Sequence, residues 1–229
     1  MQTENNKVLN GVDVSHWQGV IDWSTVNANG IIFAYLKATE GLTWVDSRFT
    51  ANASSARSAG IYTGAYHFAR PDLNPSLESA KEEVRNFIDT LQRGFGTGNF
   101  GDIYPALDLE VPFPKKDDKF STARLIKWAN TFRNYFQQLT GKTLMIYTGV
   151  YFIKEYDNFS YENLKNPLAN MPLWIALYPR SKENPEAPPD AGKWSRWTIW
   201  QYTNQGKVKG IKGDVDLNWA EPELLTAKI

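Results

Sequence analysis

The 229-residue chain has no cysteine, only 2 histidines and no surplus of charge, with 25 Lys and Arg against 25 Asp and Glu. The missing cysteine excludes disulfides, thiol nucleophiles and thiolate metal sites together. Balanced charge removes the basic excess with which a nucleic-acid binder meets phosphate, so nucleic acid is not an expected partner. No run approaches the ~20 apolar residues that span a bilayer, so a membrane is not expected either. The opening MQTENNKVLNG is polar and lacks the apolar segment of a secretory signal, which leaves a signal already removed or export by another route. Neither histidine stands in an H-x-H or H-E-x-x-H spacing, and no G-x-S-x-G, P-loop or dinucleotide glycine pattern occurs. Neither metal nor cofactor is expected.

Aromatic residues are abundant: 9 Trp, 11 Tyr and 12 Phe. Most belong in a large core. Trp and Tyr also present flat apolar faces with a polar edge, a surface that suits the C–H faces of sugar rings.

Strand-like and helix-like runs alternate through the first two thirds. GVDVS (11–15), IIFAYLKAT (31–39), IYTGAYHFA (61–69), IYPALDLE (103–110), TLMIYTG (143–149) and PLWIALY (172–178) read as strands. Helices are expected over 47–60 with Ser47 as N-cap, over 76–93 with Ser76 at the start, and over 121–141 with an N-cap serine and Gly141 at the end. Near the C-terminus, 196–203 and 207–218 read as two β segments joined at Asn204–Gln205–Gly206, with no helix between them. Such alternation argues for parallel βα units closing into an α/β barrel. The expected fold is an irregular TIM-like barrel of about eight strands and five helices, (β/α)5(β)3. Residues 1–10 form an extension and 11–229 one catalytic domain, with the Pro-rich 180–193 as a surface loop.

The chemistry rests on acids among apolar neighbours. In Leu107–Asp108–Leu109–Glu110, side chains alternate faces, so the acids point one way and the leucines the other. In a barrel the leucines meet the helices and the acids face inward near the C-terminal rim, where barrel enzymes carry their sites. Two adjacent carboxylates raise each other's proton affinity, so one can keep a proton as general acid while its neighbour is ionised. Asp13, between Val12 and Val14, and Asp216, between Val215 and Leu217, are placed alike on the first and last strands, which a closed barrel makes neighbours. Glu40 ends the second strand and is a candidate to join them, and Lys37 to pair with the acids. A ring of buried charges is expensive and calls for a functional reason. His67 reads as a hydrogen-bonded residue beside the barrel wall, and His16 as a residue near the rim without an assigned role.

Eight segments in order, GVDVSHWQG (11–19), KATEG (37–41), GAYHFARP (64–71), ALDLE (106–110), IYTG (146–149), PLWIALY (172–178), WQYT (200–203) and GDVDLN (213–218), resemble the lysozymes of glycoside hydrolase family 25, the Chalaropsis-type muramidases. The resemblance implies hydrolysis of the β-1,4 bond between N-acetylmuramic acid and N-acetylglucosamine in bacterial peptidoglycan, with retention. It implies Glu110 as general acid and Asp108, Asp13 and Asp216 as the other catalytic acids. The nucleophile stays open between an aspartate and the substrate's own N-acetyl oxygen oriented by Asp108. Tyr66, Phe68, Tyr147, Trp174, Tyr178 and Trp200 lie near strand ends and are candidates for the sugar groove, with Lys37 and Glu40 beside them. The implied protein is a monomer that works outside the cell, secreted or released at lysis. Two competing readings are a wall-binding protein without catalysis and a chitin-type barrel glycosidase. The second typically shows a longer D-x-x-D-x-D-x-E run.

Overall fold

The computed structural model describes residues 1–2, 8–111, 122–160, 166–179 and 186–226. The expected N-cap at residue 121 and the first half of the Pro-rich loop lie outside these residues.

Eight strands close a barrel: β1 (Leu9–Val14), β2 (Phe33–Glu40), β4 (Tyr62–Phe68), β5 (Ala106–Asp108), β6 (Met145–Gly149), β7 (Leu173–Ala176), β8 (Ile199–Gly206) and β9 (Val215–Ala220). The two-residue β3 (Trp44–Val45) pairs antiparallel onto the end of β2. Neighbours from β1 through β2 and β4 to β8 run parallel, whereas β9 lies antiparallel to both β8 and β1 and closes the circle. Five helices accompany them: α1 (Trp23–Ala28), α2 (Phe49–Ser58), α3 (Leu77–Phe95), α4 (Thr122–Thr140) and α5 (Val150–Glu155). This is the expected mixed barrel. β1 already begins at Leu9, so the last two residues of the expected extension belong to the sheet. No described helix is long and apolar enough to cross a membrane.

Strand alternation divides the core in two. Phe33, Tyr35, Ala106, Met145, Trp174 and Ile199 fill the barrel interior. Val12, Val14, Leu36, Leu107, Ile146 and Trp200 face outward into the layer beneath the helices. α3 supplies that layer with Ala80, Val84, Phe87, Ile88 and Leu91, an i, i+4 stripe, and Ser76 caps it by accepting from Ser79 N at 3.0 Å.

Two local expectations are corrected. α2 starts at Phe49, and Ser47 does not cap it. Arg48 holds the cap position without a side-chain cap, and the buried Asp46 before it accepts the Arg48 N–H on its carboxylate at 2.8 Å and the Phe49 N–H on its carbonyl at 3.2 Å. The C-terminal hairpin turns over residues 207–214 and not at Asn204–Gln205–Gly206, which continue β8. Gly206 answers close packing: a Cβ there would stand 2.3 Å from Leu217 Cγ. The turn itself uses Gly210 and Gly213, with φ of 98° and 86°.

Candidate active site

At the C-terminal ends of the parallel strands lies a cavity of about 300 Å³, lined by Asp13, Lys37, Tyr66, Phe68, Asp108, Glu110, Tyr147, Trp174, Tyr178 and Asp216 together with Trp17, Gln18, Gln201 and Asn204. The four acids singled out by their apolar neighbours therefore meet. The alternation is the cause: Val12, Val14 and Leu107 pack outward, so Asp13 and Asp108 point inward.

Asp13 and Asp216 are partners in the antiparallel register of β1 and β9. Asp13 is buried and accepts from Gln201 Nε2 at 2.9 Å and Asn218 Nδ2 at 2.8 Å. Asn218 is fixed in turn by the Trp174 indole N–H at 2.8 Å. Burial, and then the neighbouring Asp13 charge, push Asp216 up to about 9. Burial raises Asp13 as well, against the lowering effect of its hydrogen bonds to Asn218, Gln201 and Asp216. One proton thus sits on Asp216 and is shared with Asp13.

Asp108 is buried, with Oδ1 lacking a protein partner. Burial lifts its carboxyl well above the ordinary range, the Glu110 charge adds to this, and Lys37 opposes it. Glu110 stands open at the cavity mouth, yet enough protein surrounds its carboxyl for burial to raise it; the Asp13 charge adds, while the Tyr147 hydroxyl and Lys37 oppose. The Asp108–Glu110 pair therefore holds a proton at pH values where exposed carboxylates are ionised.

The floor is aromatic. Trp174 lies 4.5 Å from the Tyr35 ring, 4.7 Å from Tyr147 and 6.2 Å from Tyr66 between centroids. Tyr147 and Tyr178 both donate to Gln201 Oε1, at 3.0 and 2.8 Å. Lys37 stands 4.6 Å from the Phe68 ring centroid and bonds Glu40 at 2.8 Å, so it reaches the acids through space and not as a direct partner.

Two expected groove residues stand elsewhere. Trp200 is fully buried, its indole N–H donating to Leu177 O at 2.8 Å, and it packs outward with Trp197 and Trp219. Its neighbours Ile199 and Gln201 are the inward residues of β8. Glu40 turns from the cavity to Lys37 and Arg70, the latter at 2.8 Å. The register shift between Lys37 and Thr39 sets Thr39 beside the outward His67 and Glu40 beside the cavity-lining Phe68, so it is the pull of Lys37 and Arg70, not the strand's facing, that takes the Glu40 carboxylate away. His67 is buried in the wall between Thr39 (2.7 Å) and Glu83 on α3 (2.8 Å). His16 reaches the rim, its Nδ1 at 2.9 Å from Asp46. Gln201, Asn218 and Trp17 were not foreseen. The first two matter through tertiary contacts with Asp13, but an exposed Trp directly after the first strand was a readable signal.

A closed barrel with carboxylates of raised proton affinity gathered at its C-terminal rim defines an acid–base hydrolase, and its aromatic floor suits a sugar. Residues 12–211 match Glycosyl hydrolases family 25, and the chain belongs to that family as a glycoside hydrolase. It is 36% identical over 212 residues to Lysozyme M1 of Streptomyces globisporus, covering 92% of this chain and 67% of that protein. It is 28% identical to the N,O-diacetylmuramidase of a Chalaropsis species, covering 91% and 96%. Among solved structures, the spore cortex lytic enzyme SleM of Clostridium perfringens superposes with a TM-score of 0.87 at 41% identity, over 96% of this chain and 69% of that one. The bacterial lysozyme of Streptomyces coelicolor gives 0.79 at 34% identity, over 97% of both chains.

Proposed function

We propose that this protein is a muramidase that hydrolyses the β-1,4 bond between N-acetylmuramic acid and N-acetylglucosamine in bacterial peptidoglycan, with retention of configuration. The observation that carries the reading is the meeting of Asp108 and Glu110, both raised in proton affinity by burial, at an aromatic-floored cavity. The names of the relatives, lysozymes and a muramidase, supply the substrate class.

In this reading the substrate's acetamide N–H hydrogen-bonds to Asp108 and favours its ionised form, which leaves the pair's proton on Glu110. Glu110 then gives that proton to the glycosidic oxygen as the bond to the muramic C1 breaks. The acetamide oxygen attacks C1, and Asp108 steadies the positive charge of the resulting ring. Water, deprotonated by Glu110, opens that ring from the first face, so the configuration at C1 is kept. Asp13, the charged member of its pair, helps keep Glu110 protonated at rest. The barrel, from Leu9 onward, acts as one catalytic unit, a monomer working on the wall from outside the cell or after lysis.

Digestion of purified peptidoglycan, followed by mass spectrometry of reduced products and proton NMR of the first-formed anomer, tests this. Muramic-acid reducing ends in the β configuration are expected. Glucosamine reducing ends, or an α product, would overturn it.

A further inference from the structure

Three aromatic rings stand in a row on the rim beside the cavity. Trp17 lines the cavity and is 82% exposed; Trp44, on β3, is 39% exposed. His16 lies between them, its ring 4.8 Å from Trp17 and 5.4 Å from Trp44 between centroids. Exposed tryptophans of this size are unusual unless they meet something, because each leaves a large apolar face in water.

Two of the three rings, His16 and Trp44, are also held in place. The buried Asp46 accepts His16 N–H and sits on His16 Nδ1, both at 2.9 Å, while its other oxygen accepts Arg48 N–H at 2.8 Å. Asn86 on α3 donates to the carbonyls of Gly41 and Trp44, each at 3.2 Å, and so pins the hairpin that carries Trp44. The Lys37 ammonium lies 5.0 Å from the centroid of the Trp44 ring, and Lys37 is itself a wall of the cavity. Cavity and row are continuous.

We infer that Trp17, His16 and Trp44 form a stacking platform for a further pyranose ring of the same glycan strand, beyond the rings held in the cavity. A β-linked pyranose carries its substituents in the equatorial plane and presents flat C–H faces, the shape an ordered indole accepts. Because His16 and Trp44 are set in advance, little of their side-chain freedom is lost on binding. The inference rests on the muramidase reading for the identity of the strand.

The test compares wild type, Trp44→Ala and Trp44→Phe on the shortest strand the protein cleaves and on polymeric strands, with the same strands titrated against each protein by calorimetry. For Trp44→Ala, kcat/KM on polymer should fall about tenfold more than on the shortest strand, with a matching loss of affinity; Trp44→Phe should recover most of it. Equal losses at both lengths, or no loss of affinity for polymer, would overturn the platform. Absence of cleavage by wild type would sink the muramidase reading alone, since the titration still decides the platform.

Discussion

Asp13 and Asp216 face each other across the antiparallel β1–β9 pair, and one proton serves both. Two charged carboxylates directly opposite on neighbouring strands would repel. Here burial keeps Asp216 neutral up to about 9, and Asp13 keeps its oxygen for Gln201 and Asn218. The seam that closes the barrel is therefore also a proton store.

That store has a consequence for stability. Asp216 is raised from its ordinary value to about 9, so between the two the folded chain binds a proton that the unfolded chain has lost. Stability should fall as pH rises through this window. Urea melts at several pH values should show a downward slope from weakly acidic to alkaline pH, flattened in Asp216→Asn, whose amide is neutral throughout. An equally steep slope in the variant would contradict the assignment.

Lys37 lowers the proton affinity of both Asp108 and Glu110. Replacing it by Met removes that influence, so both should hold their protons to higher pH. Glu40 keeps Arg70 as a partner, which limits damage to the fold. The alkaline limb of the kcat/KM profile should move upward in Lys37→Met. A downward shift, or none, would show that Lys37 does not act on the acids.

Trp200 packs outward with Trp197 and Trp219 and does not line the cavity. Trp200→Ala should cost about 3–5 kcal/mol of folding stability, as large buried truncations do. KM of the folded protein for glycan strands should stay near wild type. A KM raised without loss of stability would return Trp200 to the groove.

The acids were legible because period-2 alternation is a local rule: Val12 and Val14 around Asp13, and Leu107 and Leu109 around Asp108, announce which way each strand faces. The same rule applied to β8 puts Ile199 and Gln201 inside and Trp200 outside, and being near a strand end was the weaker guide. Glu40 stands in register with the inward Phe68, yet its carboxylate is taken by Lys37 and by Arg70, 30 positions on, a tertiary pairing that no local pattern marks. Asn204–Gln205–Gly206 looks like a turn, but Gly206 is there for the close approach of Leu217. The links from Asp13 to Gln201 and Asn218 join residues 188 and 205 positions apart and arise only when the barrel closes.

The most direct test of the account is Glu110→Gln, which keeps the shape of the side chain and removes its proton. Its turnover on purified peptidoglycan should fall by about 10²–10⁴-fold, the usual worth of a positioned general acid, with the urea midpoint close to wild type. Turnover within a few-fold of wild type in that variant would contradict the claim that Glu110 delivers the proton.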